Sequence, residues 1–250
     1  MLKVVPGEAA LIFKEQEECT LLISDLHLGL EKEMAKKGFR ITSYSTKILD
    51  RINVIAERYR ANRIIVLGDV KHSIGKVEDI DWNVLPWFFE TLLDVFASVE
   101  VVPGNHDGGI RSLIPSRVKV HPSDGMIIGT DERVGVTHGH SWPSREVISC
   151  GRIVMGHSHF RYEMRDRFGA RSKEAVWLFA KYDVEKLLSK AGYEGGTGEV
   201  GELMVMPPFN NLVGGQAINA KGGFDFGPVL SSGTVDVAGA DIFLLDGTRV

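Results

Sequence analysis

Seven of the chain's eight histidines fall within five short motifs, and each motif follows directly on an apolar run. In order these are LLISDLHLG with Asp25 and His27, IIVLGDVKH with Asp69 and His72, VEVVPGNHD with Asn105, His106 and Asp107, VGVTHGH with His138 and His140, and RIVMGHSH with His157 and His159. Short apolar runs bounded by turn residues read as buried strands. The fold therefore has to bring five strand ends together. Imidazoles and carboxylates gathered at one such edge form the donor set of a transition-metal site, which points to a metal-dependent hydrolase.

The bulk composition narrows the alternatives. With 250 residues, 44% hydrophobic and 25% charged, the chain can bury one large α/β core, and residues 1–250 read as a single domain. A formal net charge of −4 gives no general signal for polyanion binding, so any nucleic-acid contact has to use a local basic patch. Cys19 and Cys150 each begin an apolar run and read as buried free thiols, which fits a reducing cytoplasm. The opening MLKVVPGEAALIFKEQEE lacks the apolar stretch of a signal peptide. No apolar run reaches the roughly 18 residues of a membrane span. The expectation is a cytoplasmic protein with no membrane contact.

Periodicity places the motifs. Glu17 to Asp25, Arg63 to Leu67 and Ser98 to Val102 read as strands. Tyr44 to Arg60 reads as an amphipathic helix with Ile48, Ile52, Ile55 and Tyr59 on one face. A second helix is expected over Asp81 to Phe96, with Pro86 in its first turn. Further strands are expected at Val118 to Val120, Met126 to Ile128, Val134 to Thr137, Ile153 to Met155 and Val176 to Ala180, and a helix over Asp183 to Lys190 stopped at Gly192. Tyr193 to Gly201 reads as a Gly-rich mobile loop, and the tail from Leu203 as strands alternating with turns. A β-α-β-α-β first half favours parallel pairing, and the mostly-β remainder implies a second sheet.

In open α/β sheets, ligands bind beyond the carboxyl ends of the strands. Residues two apart on extended chain face one side, so Asp25 and His27 can reach one ion, and His157 and His159 can be split between two by a bend. Asp25, His27, Asp69, Asn105, His138, His157 and His159 are too many ligands for one ion. With one carboxylate bridging, they supply two ions with open positions left over, the arrangement that clamps both oxygens of a phosphoryl displacement. Two divalent ions against two carboxylates leave a positive surplus that draws in an anionic substrate. The mix of His, Asp and Asn suits Mn, with Fe or Zn as alternatives, better than Mg.

The series DxH, GD, GNHD, HGH and GHSH, over roughly residues 20–160, resembles the calcineurin-like metallophosphoesterase superfamily. LLISDLHLGLEKEMAKKG, LGDVKHSIG and GHSHF look like its prokaryotic ICC-like or DNA-ligase-associated branch. The resemblance implies a four-layer α/β/β/α sandwich of two mixed sheets flanked by helices. It implies that Asp25, His27 and His159 bind one metal, that Asp69 bridges, and that Asn105, His138 and His157 bind the other. His106 would stand near the leaving-group oxygen, with Asp107 orienting it. A metal-bridging hydroxide would attack phosphorus while His106 assists the leaving group.

Other motif residues stay open. His72 stands where many relatives have Asp or Asn, and is either a phosphate contact or a solvated loop residue. His140 either orients a ligand or is structural. Arg161 to Lys173 carries five basic residues and is either a solvated hairpin or a basic rim, with Arg161 as its best substrate contact. Glu31 to Arg40 is either part of the mouth or an ordinary charged helix. Asn210 could hold a ligand in place, and His121 reads as an exposed turn residue. The branch favours a phosphodiester substrate, nucleic acid or a nucleotide diester, and allows a homodimer and a functional link to DNA-repair enzymes. The alternatives are a phosphomonoesterase acting on a nucleotide or phosphoprotein, and a non-catalytic binding protein on the same framework.

Overall fold

The computed structural model describes residues 1–39, 44–74, 77, 81–196, 198–220 and 226–250. Six strands form the first sheet: β1 (Leu2–Val4), β2 (Ala10–Glu15), β3 (Glu18–Ser24), β4 (Arg63–Leu67), β5 (Ser98–Val102) and β6 (Lys119–Val120), paired in that order. The first three are antiparallel, whereas β3 to β6 run parallel. The parallel crossovers carry α1 (Leu30–Lys36) and α2 (Tyr44–Tyr59), then α3 (Asp81–Val95). The second sheet contains β7 (Met126–Ile128), β8 (Val134–Thr137), β9 (Arg152–Met155), β10 (Arg161–Arg165), β11 (Arg171–Asp183), β12 (Val200–Val205) and β13 (Asp241–Leu244). Its order is β10-β11-β12-β9-β8-β7, with β13 also pairing β11. Three short helices, α4 (Arg145–Ile148), α5 (Val184–Lys190) and α6 (Pro228–Ser231), and one 3₁₀ turn (Ile110–Ser112) complete the described elements.

Strand periodicity sorts the apolar residues into three cores. On β3 and β4, Leu21, Ile23, Ile64 and Val66 pack toward Ile48, Ile52 and Ile55 of α2 and Phe88, Phe89 and Leu92 of α3. Their neighbours Leu22, Ile65 and Leu67 face the other way, against Val136, Val154 and Trp177 of the second sheet. Val176, Leu178 and Tyr182 of β11 point outward onto Leu187 of α5 and Val229 of α6. Both faces of each sheet are covered, so the central strands read as unbroken apolar runs rather than alternating ones. The layers are helix, sheet, sheet, helix, as the resemblance implied.

Several expectations are corrected. The helix starts at Asp81 as expected, but Pro86 is its sixth residue and lies inside α3 rather than in its first turn. The strand expected at Val176 to Ala180 extends to thirteen residues, since the polar run Arg171 to Ala175 pairs with β10. GPVLSSG forms α6 rather than a strand, with Pro228 at the start of the helix, where its missing N–H is harmless. Gly201 is part of β12 rather than of a loop, and Thr197 and Arg40 of the loops expected there lie outside the described residues. Cys19 is buried and Cys150 half-buried, both as free thiols. His121 is half-buried and pairs with Glu100 at 2.6 Å, helping Arg63 balance that buried carboxylate.

Candidate metal centre

All five motifs lie beyond the ends of β3, β4, β5, β8 and β9, and the two sheets meet there. Asp25, His27, Asp69 and His138 are buried at 0, 3, 2 and 0% exposure. Among the described residues, seven non-glycine residues have positive φ, and five of them are Asp25, His27, Asp69, His157 and His159. Side chains with a Cβ avoid that region, and strain of order 1–3 kcal/mol per residue persists only where surrounding structure enforces it. The enforcing contacts are visible: Asp25 N–H donates to Gly68, and His27 N–H to Asp69.

The side chains converge. One carboxylate oxygen of Asp25 lies 2.9 Å from His159 Nε2, and the carboxylate accepts the His157 N–H at 3.2 Å. Asp69 lies 3.4 Å from His138 Nε2 and 3.6 Å from His27 Nε2, and accepts the His106 N–H at 3.0 Å. His27 and His159 face each other, Nε2 to Nε2, at 3.5 Å. Three groups of donors result among the described residues, each with ligand atoms within 4.8 Å of one another: Asp25, His27, Asp69 and His159, then Asp69, His138 and His157, and, without a carboxylate, His27, His72 and His106; the first two are the ones that match the expected ligands. Asp69 belongs to both.

These residues fit a pair of cations. His138 Nδ1 donates to the Leu67 carbonyl at 2.8 Å, so Nε2 is the nitrogen turned toward Asp69, carrying a proton in the metal-free protein and offering a lone pair once a cation displaces it. Nε2 is buried and makes no well-formed hydrogen bond, and once deprotonated it and the Asp69 oxygen are two lone-pair atoms that face each other stably only with a cation between them. The loops are packed against the cluster with no room to spare. A Cβ on Gly156 would stand 2.5 Å from an Asp25 oxygen and 2.8 Å from Ser24 Cβ.

Electrostatics agree. Burial pushes the Asp25 carboxyl up, but His159 and His138 outweigh it and hold it below the usual value. Asp69 is likewise lowered despite burial, by His138, His27 and His106. Burial drives His27 down to about 3 and His157 to about 4, so both rings are neutral lone-pair donors at neutral pH. For His138, burial opposes protonation but Asp69 and Asp25 prevail, and the ring is raised to about 9.

The remaining sequence candidates fall as follows. Asn105 is exposed, on the loop between Gly104 and His106. His106 Nδ1 donates to the His72 carbonyl at 2.7 Å, which leaves Nε2 free, 3.8 Å from Asp69. Asp107 does not hold His106 by its side chain, which corrects the expectation. Its buried carboxylate instead accepts the backbone N–H groups of Val70, Lys71 and Gly104, because those donors would otherwise be orphaned where the two loops meet. Burial raises Asp107 to about 6. His72 pairs with Glu33 of α1 at 2.7 Å. His140 is half-buried beside His138, with ring centroids 5.2 Å apart, and is lowered to about 4 by burial and by His138. The Arg161 guanidinium donates to the Val213 carbonyl. Asn210 is buried and its amide donates to the Leu26 carbonyl at 2.7 Å, fixing the chain between Asp25 and His27. Glu33 escaped the sequence reading. Its only signal was an acidic residue one turn into a charged helix.

A family model described as Calcineurin-like phosphoesterase matches residues 20–194. No curated protein matches the chain. Among solved structures, a crystal structure of the nuclease MPE from Pseudomonas putida aligns with 13% identity and a TM-score of 0.57, over 100% of this chain and 99% of that one. A protein of unknown function from Aquifex aeolicus aligns with 19% identity and a TM-score of 0.40, over 60% of this chain and 81% of that one. The former likeness extends the fold correspondence over the whole chain.

Proposed function

The chain belongs to the calcineurin-like phosphoesterase family and is a metal-dependent phosphoesterase, and from that premise we propose that it hydrolyses phosphodiesters of the nucleic-acid or nucleotide type. The observation that carries the site assignment is the sharing of Asp69 between two donor groups. On this reading Asp25, His27 and His159 would hold one divalent cation, His138, His157 and Asn105 would hold the other, and Asp69 would serve both. Mn suits the donors best. When bound, the pair supplies positive charge for the phosphate and lowers the pKa of water. The residues do the rest. Buried loops exclude water, and His106, its Nδ1–H held by the His72 carbonyl, gives the leaving oxygen a proton from Nε2 when the ring is doubly protonated and is left as the neutral Nδ1–H tautomer. Asp107 places His106 indirectly, by locking the two loops. The inter-sheet core, which joins Leu11 and Leu22 to Trp177 and Met206, supports one domain over residues 1–250. Among the described residues no helix is long and apolar enough to cross a membrane. The free thiols fit our placement in the cytoplasm.

The test is turnover of the Mn-loaded protein on aryl phosphate diesters, aryl phosphate monoesters and single-stranded DNA. Diesters are expected to react faster. Faster monoester turnover transfers the assignment to a phosphomonoesterase.

Metal loading carries a pH signature. Below about 9 the metal-free His138 holds a proton that a cation must displace, while His27 and His157 are already neutral. Apparent Mn affinity at the second position is therefore expected to rise about tenfold per pH unit from pH 6 to 8 and to level off above about 9. Equilibrium dialysis at several pH values measures this. An affinity flat with pH contradicts the protonated state of His138.

A further inference from the structure

We propose that the β10–β11 ribbon is a polynucleotide-binding wall, which grips the backbone of a single-stranded substrate with its basic face and stacks a base on Phe168. The proposal rests on the phosphodiesterase reading above and deepens it.

Register places the ribbon. Leu178 pairs with Val205, and Val205 pairs with Met155, the last residue of β9. The ligand loop with His157 and His159 begins immediately after. β11 runs antiparallel to β12, so its residues 171–175 continue past the sheet edge on the same side as that loop. Five residues at the strand rise carry the ribbon about 16 Å beyond the edge. In the sheet order β11 is two strands from β9, an offset of about 10 Å. The ribbon therefore stands beside the mouth of the metal centre.

Strand alternation decides which face looks in. Trp177 lies in the core between the sheets, whereas Val176 and Leu178 face the outer helices. Odd-numbered residues of β11 thus continue the face that looks toward the first sheet. Arg171 and Lys173 are on it, and their cross-strand partners Arg165 and Glu163 share it. The opposite face carries Tyr162, Met164, Ser172 and Glu174. Three exposed or partly exposed cations against one carboxylate make the inward face basic, in a chain whose net charge is −4. Glu163 is shared between Arg165 at 3.6 Å and Arg171 at 3.4 Å, so one negative charge faces two positive ones and the pair keeps a net positive charge.

The tip is built without the Phe168 side chain. Asp166 accepts the N–H groups of Phe168 and Ala170 at 2.8 and 2.9 Å, and its backbone bonds Ala170 and Gly169. Gly169 supplies the left-handed turn at φ 86°. The Phe168 ring contributes nothing to this turn, yet at 80% exposure it is the most exposed large apolar side chain described, with the Arg167 guanidinium 4.7 Å over its ring. An aromatic ring and basic groups along one track is the arrangement that binds single strands, where bases are free to stack.

Two double variants test this in the Mn-loaded protein: Arg167→Ala with Phe168→Ala, and Arg171→Ala with Lys173→Ala. Substrates are bis(p-nitrophenyl) phosphate, a single-stranded 30-mer and the matching duplex. The tip pair is expected to raise KM for the single strand by roughly tenfold, with kcat and small-diester turnover within twofold of wild type. The charged pair is expected to flatten the salt dependence of kcat/KM by about 1.4 in log–log slope for the single strand, with no change for the small diester. An unchanged single-strand KM in both pairs overturns the wall. An equal tip effect on the duplex overturns the stacking role. Parallel loss of small-diester turnover shows that the ribbon props the metal loops and likewise overturns the proposal. If wild type fails on bis(p-nitrophenyl) phosphate, it is the phosphodiesterase reading that falls.

Discussion

Asp69→Asn is expected to strip both cations from the protein together and abolish turnover. The carboxylate of Asp69 is the one group common to both donor clusters, 3.6 Å from His27 Nε2 and 3.4 Å from His138 Nε2. An amide keeps the shape but removes the negative charge and one acceptor oxygen, and its NH2 would point a donor at an imidazole or a cation. Substituting a partner that merely orients a ligand already weakens metal binding by about 10–100-fold, so losing the shared ligand should exceed 100-fold at both positions. Elemental analysis after Mn loading and desalting reads the result directly. The His106 N–H can still bond the amide oxygen, so the loop has reason to stay in place, and thermal unfolding of the metal-free variant checks this. Loss of a single ion contradicts the sharing.

His106→Ala gives the opposite pattern: both cations retained, activity lost. His106 lies at the mouth with Nδ1 committed to the His72 carbonyl and Nε2 free. Its nearest donor-cluster contact, to Asp69, is 3.8 Å, longer than those of His27 and His138. A positioned acid contributes about 10²–10⁴-fold, so kcat should fall at least 100-fold with little change in KM. The loss should be largest for alkyl leaving groups, which need a proton, and smallest for p-nitrophenolate, which does not. A drop in metal content would place His106 among the ligands instead. A uniform loss across leaving groups would make it a phosphate-charge stabiliser rather than an acid.

Much of this was legible in the sequence because strand and helix periods are local. The helix at Tyr44 and the strands at Arg63 and Ser98 appear where apolar spacing puts them. The polar run Arg171 to Ala175 hid the first half of β11, since a ribbon in solvent needs no apolar residues. The start of α3 at Asp81 was read correctly, but Pro86 is its sixth residue and so falls past the first turn. Asp107 was expected to serve its neighbour His106, but a carboxylate's hydrogen bonds go to whichever donors the fold leaves unpaired, and these came from Val70, Lys71 and Gly104. Glu33 meets His72 only because α1 folds back over a loop 39 residues away.

Donor chemistry, order and strand-end position of the five motifs are written in the sequence, because ligand type and hydrophobic period survive without a third dimension. Which carboxylate is shared, which imidazole nitrogen is left free and which face of the β10–β11 ribbon looks toward the first sheet were settled by packing. Those depend on contacts between residues far apart in the chain, and no local pattern encodes them.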